Sequence, residues 1–478
     1  MTTWETNKRI AFYTLGCKVN QYETQMLAER FEALGFDVVD MNETADVYVI
    51  NSCTVTGMAD KKSRNFARRA KRRNPEALTV LAGCYAEVAG DILRGVEEID
   101  LLVGSAEKER LPEILCGRNG IFAQESNDVP AQLPDGADAD SCRNAFPRVG
   151  QDDFQGAFQK ISQGETPGAG MRRGVTGLHD RTRAFVKVED GCDRYCAYCI
   201  IPYARGPVRS RPLDEIVSEA RALIANGYKE IVLTGVNAAL YGSAGGILDV
   251  VDAVSEIGGT ASETGGAFRI RLSSLEPTVI NADYARELIK RERLCPHLHL
   301  SLQSGSDRIL RAMGRRYSMD DYRRIVDVLK KHDAGYAVTT DLIVGFPGET
   351  DADFEETLNA VAEIGFSHIH VFKYSKRKGT AAAEMDGQIP EQVKSARSER
   401  LMAAGEKAAA AFVYRNRGTS RQTLFYGKDS KDDKGSKDDK DNLYRGITDN
   451  GIEVRIHSTK DLTNRYADIC IEDTLSEQ

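Results

Sequence analysis

The 478 residues are enough for about three domains, and a composition of 41% hydrophobic and 28% charged residues is typical of a globular protein. No apolar run approaches the ~20 residues of a membrane-spanning helix, and no signal peptide is recognised before the first strand, so we expect a cytoplasmic protein. In that compartment, the ten cysteines are expected to be thiols or metal ligands rather than a disulfide framework. A formal charge of −8 excludes a globally basic nucleic-acid binder, so any such site must come from local clusters of basic residues.

Residues 8–115 alternate between strand and helix patterns. Strands are predicted at 9–15, 46–51 and 78–83, and amphipathic helices at 20–36 and 58–73. This alternation predicts a doubly wound parallel sheet.

Three cysteines of this region, Cys17, Cys53 and Cys84, each come shortly after a predicted strand. The carboxyl ends of parallel strands meet at one edge of the sheet, where ligands bind. We therefore expect the three thiols to lie together. The alternative is that they are three unrelated buried residues, since unpaired cysteine is often buried.

The rest of the chain contains two further regions. Residues 116–183 are rich in Gly, Asp, Gln, Ser and Pro and are predicted to be a linker. Residues 184–389 contain six successive strand–helix units, which predict an α/β partial barrel, (β/α)6, with its active site at the carboxyl ends of the strands.

A helix at 390–418 connects the barrel to short strands at 419–478, where a small β-barrel is expected. Within it, 428–441 is a charged stretch without apolar residues, which predicts a disordered loop.

The partial barrel opens with the sequence GCDRYCAYC, in which Cys192, Cys196 and Cys199 have the spacing C-x3-C-x2-C. Zinc sites and ordinary four-iron clusters take four ligands, so one ligand is missing. If the metal is zinc, a distant His or Cys completes the set; Cys295 is a candidate, but it precedes the fourth strand and is expected to face the opposite end of the barrel. Otherwise the triplet holds three irons of a [4Fe-4S] cluster and the fourth iron is open to a small molecule.

The spacing resembles that of the radical S-adenosylmethionine (SAM) enzymes, and several further motifs resemble one family among them, the methylthiotransferases. These motifs are TLGCKVNQYE (14–23), INSCTVT (50–56), LAGC (81–84), LTGVN (233–237), RLSSLEP (271–277), HLSLQSGSDRILRAMGRRY (299–317) and TTDLIVGFPGET (339–350). The resemblance implies a first [4Fe-4S] cluster on the barrel triplet, bound to SAM, and a second on Cys17, Cys53 and Cys84. It also implies that one SAM donates a methyl group and a second SAM is the radical source.

By the same resemblance, polar and aromatic residues at the barrel mouth bind SAM: Tyr198, Thr234, Gly235, Asn237, Ser273, Glu276 and Gln303. The alternative for each is the ordinary polarity of a strand end. No acid–base residue is expected, because the clusters and SAM carry the chemistry.

The stretch LGCKVNQYE resembles the branch that modifies C2 of N6-threonylcarbamoyladenosine at tRNA position 37. The alternatives are the isopentenyladenosine branch and the ribosomal-protein branch. An alternative of another class is an iron–sulfur protein that binds RNA without turnover.

Clustered basic residues favour RNA: Lys61, Lys62, Arg64, Arg68, Arg69, Arg72, Arg205, Arg209 and Arg211. The alternative is a solvated helix face. The C-terminal region resembles a TRAM domain, a small RNA-binding module. We therefore expect the anticodon stem-loop of tRNA as partner, with flavodoxin or ferredoxin as electron donor to a monomeric enzyme.

Overall fold

The computed structural model describes residues 8–116, 182–258, 268–428 and 442–472, which form two units. The first unit contains the described residues up to Cys116 together with Tyr203–Arg205, and the second contains the others. The predicted linker and the predicted charged loop lie outside the described residues, apart from their end positions. The finer domain boundaries stay a prediction.

A five-stranded parallel sheet forms the centre of the first unit. Its strands are β1 (Arg9–Thr14), β2 (Asp37–Val39), β3 (Val47–Ser52), β4 (Leu78–Gly83) and β5 (Leu101–Val103). They lie in the order β2-β1-β3-β4-β5, and every residue of β3 and β4 is buried. Strands covered on both faces have continuous apolar sequences, which is why β3 and β4 are predictable.

Among the described residues, four helices accompany this sheet: α1 (Lys18–Ala33), α2 (Gly57–Arg73), α3 (Cys84–Leu93) and α4 (Leu111–Cys116). Helix α2 begins where the Thr56 side chain accepts a hydrogen bond from the Ala59 amide at 3.3 Å, an ordinary N-cap. Helix α1 begins two residues earlier than predicted. Helix α3 was not predicted, and its first residue is one of the cysteines.

The part of the second unit that precedes the C-terminal sheet consists mainly of parallel strands in chain order. Its strands are β6 (Arg183–Lys187), β7 (Glu189–Asp190), β8 (Arg209–Ser210), β9 (Glu230–Thr234), β10 (Arg269–Leu272), β11 (Ser274–Leu275), β12 (His297–Leu300), β13 (Ala337–Val344) and β14 (His368–Lys373). Parallel pairing runs β6-β9-β10 and then, after the single residue Ser273, β11-β12-β13-β14. This is the predicted (β/α)6 partial barrel. The antiparallel pair β7-β8 brackets the loop with the C-x3-C-x2-C triplet.

The helices of the second unit are α5 (Ile201–Arg205), α6 (Leu213–Ala225), α7 (Ile247–Ser255), α8 (Ala282–Leu288), α9 (Asp307–Ala312), α10 (Met319–His332), α11 (Asp351–Ile364), α12 (Ala381–Glu384) and α13 (Glu391–Arg415). Only the end of α5, Tyr203–Arg205, is grouped with the first unit. Both α10 and α11 begin with capping boxes, Ser318 with Asp321 and Thr350 with Asp353, so their starts are fixed by local sequence.

The C-terminal strands form a four-stranded antiparallel sheet. They are β15 (Ser420–Lys428), β16 (Asn442–Thr448), β17 (Glu453–Ser458) and β18 (Tyr466–Cys470), in the order β17-β16-β15-β18. Buried Phe425 and Tyr444 pack with Phe412 of α13 in one apolar cluster. The curled sheet is compatible with the small barrel expected from the sequence. Among the described residues, no helix has the length and apolar character needed to span a membrane.

Candidate cluster and cofactor sites

The three cysteines of the first unit lie at one edge of the parallel sheet. Cys53 and Cys84 directly follow β3 and β4, and Cys17 lies between β1 and α1. The strand order reverses between β1 and β3, and ligands of doubly wound sheets bind at such a switch point. Cys17 and Cys84 both lie near enough to Cys53 to influence the pKa of its thiol, so the structure brings the three side chains together.

Gly16 makes room for this arrangement. Its φ of +96° is in the region that favours glycine, and a Cβ atom there would lie 2.7 Å from the Cys53 Sγ atom. The glycine of the motif TLGC is therefore required both by the backbone and by the approach of Cys53.

A buried polar network lies beneath the cysteines. The Asn20 amide donates to the carbonyl oxygens of Leu15, at 2.6 Å, and Ser52, at 3.0 Å, and so joins the ends of β1 and β3. Fully buried Lys108 donates to the Glu23 carboxylate at 2.5 Å and to Asn51 at 3.0 Å. Asn20 and Glu23 belong to the motif GCKVNQYE, and these contacts explain why the motif has an amide and a carboxylate at these two positions.

Arg205 is part of this network, and its predicted role as an RNA contact is not supported by its position. Its guanidinium is buried and donates to Glu23 at 3.0 Å and to Asn20 at 2.5 Å. Its Nε atom donates to the Cys84 sulfur at 3.3 Å. From the motif RGPVRSR, only the positive charge of Arg205 can be recognised. Its carboxylate partner, Glu23, lies 182 residues away in the sequence.

The charges around the triad suit an anionic group. Lys108 and Arg205 carry two positive charges against the single negative charge of Glu23. Burial raises the pKa of the Cys53 thiol to about 12, so this ligand is protonated until a metal displaces the proton. Three thiols, an excess cation and a donor to sulfur fit a cluster with three thiolate ligands.

In the second unit, the C-x3-C-x2-C triplet lies on a tightly held loop between β7 and α5. The Cys192 amide donates to the Gly206 carbonyl at 3.1 Å, and the Ala197 amide donates to the Met313 carbonyl at 2.9 Å. Burial raises the pKa of Cys192 to about 11 and of Cys199 to about 12, and Cys196 lies near enough to both to influence these pKa values. Their grouping fits the cluster that the spacing predicts.

Cys295 does not complete this triplet. It precedes β12 and lies beside Arg271 and Arg269, at the strand starts rather than the strand ends. The zinc alternative therefore loses its candidate fourth ligand.

Three of the predicted SAM residues have buried polar atoms that a bound ligand can pair. Thr234 Oγ1, Asn237 Oδ1 and Ser273 Oγ are buried and have no hydrogen-bond partner among the described residues. Each such atom costs about 1–3 kcal/mol if it stays unpaired, and the polar groups of SAM offer partners. These atoms lie at the ends of β9 and β10, so the residues present fit SAM.

Glu189 was missed by the sequence analysis. Its carboxylate accepts a hydrogen bond from the Asn237 amide at 2.5 Å, and a Cβ atom on Gly235 would lie 2.2 Å from it. Gly235 is thus required by the carboxylate of a residue three positions before Cys192. The segment VEDGC offered the signal, an acidic residue directly before the cysteine loop.

Two arginines hold the predicted residues Glu276 and Tyr198. The Glu276 carboxylate is 2.7 Å from Arg194 and 3.6 Å from Arg315. Arg315 also donates to the Tyr198 hydroxyl at 2.6 Å. These arginines, in GCDR and MGRR, were not predicted.

Gln303 has the left-handed φ of +71°, which is uncommon outside glycine and is enriched at functional sites. Its amide donates to the Asp341 carbonyl at 2.8 Å, and its carbonyl accepts from Ile343 at 2.9 Å. Neighbouring strand β13 therefore holds this unusual backbone in place.

The basic candidates divide by exposure. Six are exposed: Lys61, Lys62, Arg68, Arg69, Arg72 and Arg209. Half-buried Arg64 donates to the Tyr85 hydroxyl, and Arg211 donates to Glu219 at 2.6 Å and to the Lys187 carbonyl at 2.8 Å. Arg64 and Arg211 therefore have internal partners, as Arg205 does.

Comparison with known proteins agrees with this geometry. The sequence matches the Radical SAM superfamily over residues 186–361 and the Uncharacterized protein family UPF0004 over residues 9–104. Threonylcarbamoyladenosine tRNA methylthiotransferase MtaB of Bacillus subtilis is 35% identical over 462 residues, 97% of this chain and 93% of that protein. The chain belongs to the MtaB-type family of radical SAM tRNA methylthiotransferases.

Other relatives show the breadth of the methylthiotransferases. The MtaB protein of Thermotoga maritima is 37% identical over 87% of this chain and 86% of its own. The tRNA-2-methylthio-N(6)-dimethylallyladenosine synthase of Geobacillus thermodenitrificans is 33% identical over 87% of this chain and 73% of its own.

Among solved structures, the radical SAM methyltransferase TsrM of Kitasatospora setae has a TM-score of 0.51 at 14% identity, covering 79% of this chain and 77% of its own. This likeness shows the fold alone.

The superfamily match and the MtaB relatives show that the protein is an enzyme, a tRNA methylthiotransferase. Its superfamily implies a [4Fe-4S] cluster and SAM.

Proposed function

We propose that this methylthiotransferase replaces the C2 hydrogen of N6-threonylcarbamoyladenosine at tRNA position 37 by a methylthio group. The observation that carries this proposal is the likeness to a threonylcarbamoyladenosine-modifying relative over 97% of the chain. The motif LGCKVNQYE supports it, because this stretch resembles the branch that modifies threonylcarbamoyladenosine.

Two clusters are proposed, each on three cysteines. Cys192, Cys196 and Cys199 hold the cluster that binds SAM, and Cys17, Cys53 and Cys84 hold a second cluster that takes part in sulfur transfer. When bound there, the first cluster would supply radical chemistry on SAM, with one electron from the external reductant, to break a C–H bond that no base can deprotonate. One SAM is the radical source and another is the methyl donor.

The side chains position SAM and keep water out. Thr234, Asn237 and Ser273 offer their buried polar atoms to SAM, and Glu189 fixes the backbone that carries Asn237. Arg315 holds Tyr198 against a core that contains Phe346 and Met313. Fixed donors and acceptors in a dry site orient a cofactor without reorganisation during the reaction.

RNA is proposed to contact the exposed basic side of α2, which carries Lys61, Lys62, Arg68, Arg69 and Arg72. A nucleotide of the anticodon loop is unpaired, so it can be turned out of the stack into an enzyme pocket. A flavodoxin or ferredoxin as reductant and a monomeric state complete the proposal.

Separate incubations of the reconstituted enzyme test this function. Enzyme, SAM and reductant are combined with tRNA carrying threonylcarbamoyladenosine, tRNA carrying isopentenyladenosine, unmodified tRNA, or ribosomal protein, and the products are measured by mass spectrometry. We expect methylthio addition to the first substrate alone. Modification of the isopentenyl substrate instead would favour the second candidate, which the Geobacillus relative suggests. SAM that stays intact in every incubation would mean an iron–sulfur protein without turnover.

A further inference from the structure

Strands β12, β13 and β14 carry a row of polar side chains that the proposed function does not use. This imidazole face consists of His299, Thr339, Asp341 and His370. The pairing register places His299 opposite Thr339, and Asp341 opposite His370. Registered and alternate residues of a sheet share one face. The ligand atoms of His299, Asp341 and His370 accordingly lie within 4.8 Å of one another.

The imidazole face looks into the partial barrel. Residues on the opposite face of the same strands are covered by helices: the Tyr322 hydroxyl of α10 bonds the Leu300 carbonyl at 3.0 Å, and Gly405 of α13 lies against Ile369. Leu300 and Ile369 are buried. By contrast, His370 is exposed and the Asp341 side chain is 26% exposed, so the inner face is accessible to a ligand.

This face adjoins the proposed SAM residues. The backbone of Gln303 bonds Asp341 at 2.8 Å and Ile343 at 2.9 Å, so the left-handed turn after β12 is held by the strand that carries Asp341. A substrate group on the imidazole face therefore lies on the strands whose ends are proposed to bind SAM.

The side chains are preorganised for hydrogen bonding. Asp341 Oδ2 lies 3.1 Å from His299 Nε2 and 3.5 Å from the Ser301 hydroxyl. His299 Nδ1 lies 3.0 Å from the Thr339 hydroxyl. Burial alone would raise the pKa of Asp341, but the bond from His299 and the nearby His370 hold it below its usual value. Asp341 is thus an ionised acceptor whose two oxygens take about four hydrogen bonds, of which His299 and Ser301 supply two.

We propose that the imidazole face binds the polar N6 substituent of the substrate nucleoside. This inference rests on the proposed function. A threonylcarbamoyl group carries N–H and O–H donors and a carboxylate. Asp341 accepts from the donors, and His370, at the open side, donates to the carboxylate. An apolar isopentenyl group offers neither donors for Asp341 nor a carboxylate for His370, and a site built to hydrogen-bond a substrate rejects analogues that lack the bonding groups.

A divalent cation is the competing occupant, since two imidazoles and a carboxylate are common metal ligands. Both ring nitrogens of His299 already lie within hydrogen-bond distance of Asp341 and Thr339. Ligation by His299 therefore has to break one of these bonds, which favours the nucleoside substituent.

Binding of two anticodon stem-loops tests the inference, one with threonylcarbamoyladenosine and one with plain adenosine at position 37. Fluorescence anisotropy gives their dissociation constants for the reconstituted wild type, Asp341→Asn, His370→Leu and the control His332→Leu, which changes an exposed histidine at the end of α10. We expect the wild type and the control to prefer the modified stem-loop. Each variant of the face should reduce that preference about tenfold, the value of one hydrogen bond to a charged group.

The ratio of the two constants separates substituent recognition from general damage, which weakens both stem-loops alike. An unchanged ratio in both variants overturns the inference, even if the wild type methylthiolates threonylcarbamoylated tRNA. A wild type that modifies no such tRNA refutes the proposed function instead. One equivalent of bound zinc, lost in both variants, would also overturn the inference in favour of a metal site.

Discussion

Arg205 makes a buried cation–sulfur contact with Cys84 in the first unit. Arg205 lies in a basic motif, yet its guanidinium bonds the Glu23 carboxylate, Asn20 and the Cys84 sulfur. Hydrogen bonds and positive charge at a ligand sulfur stabilise the reduced state of an iron–sulfur cluster, because reduction adds negative charge. We therefore expect Arg205 to raise the reduction potential of the proposed second cluster.

Changing Arg205→Gln should lower that potential. We expect the ratio of reduced to oxidised second cluster to fall about tenfold at a fixed potential, a shift of about 59 mV for one electron. Redox titration followed by electron paramagnetic resonance measures it. Arg209→Gln, at an exposed position on β8, is the control and should not move the potential. An equal potential in wild type and Arg205→Gln would contradict this role.

At the scale of elements, β9 and β10 are joined by a buried ion cluster. The fully buried Glu230 carboxylate bonds Arg269 at 2.7 Å and Arg271 at 2.9 Å. Both arginines also donate to backbone carbonyls of the C-terminal strands, Arg269 to Gln422 and Arg271 to Thr448. One carboxylate thus holds two cations that tie the C-terminal sheet to the barrel.

Glu230→Gln should lower the free energy of unfolding by about 3–5 kcal/mol, because it leaves two buried guanidinium groups without their charge partner. Urea unfolding followed by circular dichroism measures the change. Glu287→Gln, which removes an exposed carboxylate 2.6 Å from Lys290, is the control and should leave the free energy of unfolding almost unchanged. Equal losses in the two variants would show that the buried cluster adds nothing.

The same carboxylate predicts a pH dependence. Burial alone would raise the pKa of Glu230, but the charges of Arg271 and Arg269 outweigh it and hold the pKa well below its usual range. Because the pKa of this carboxyl is lower in the folded state than in the unfolded state, its ionised form stabilises the fold at pH values above the unfolded pKa of about 4.3. This contribution is lost as the pH falls below that value. Below about pH 4 the wild type should lose stability faster than Glu230→Gln does, as acid titrations of unfolding would show.

The exposed basic side of α2 is the element proposed to meet tRNA. Replacing Lys61 and Lys62 by Glu should weaken tRNA binding and reduce the salt dependence of the binding constant. Each lost phosphate contact lowers the logarithmic slope by about 0.7–0.9. Lys290→Glu, outside α2, should leave the slope unchanged. An unaltered slope in the double variant would mean that this side of α2 is a solvated helix face that does not contact tRNA.

Sequence predicts well what depends on local patterns and poorly what depends on distant partners. The strands of both units follow from their apolar runs, and the cysteines follow from their positions after those strands. In contrast, the partners of Arg205 and Glu189 are set by the fold: Glu23 lies 182 residues from Arg205, and Asn237 lies 48 residues from Glu189. A lone charge near a motif does not reveal whether tRNA or a buried carboxylate neutralises it.

At the scale of the whole molecule, the two units have separate proposed tasks. The first has a parallel sheet with its own switch-point edge, and the second has a partial barrel with its own strand-end site. Each unit has a hydrophobic core of its own, so removing ligands from one site should not unfold the other. A protein that only cleaves SAM does not need the first unit, which makes the cysteines of that unit the test of the account.

The most direct measurement is made on the variant in which Cys17, Cys53 and Cys84 are all replaced by Ala. After incubation with SAM, reductant and threonylcarbamoylated tRNA, one sample is analysed by mass spectrometry for 5′-deoxyadenosine and for methylthiolated nucleoside. Because the ligands of the barrel cluster are untouched, we predict that the variant keeps about half of the iron, four of about eight atoms, and still releases 5′-deoxyadenosine. It should form no methylthiolated nucleoside. Methylthiolation at the wild-type level would contradict the two-cluster account.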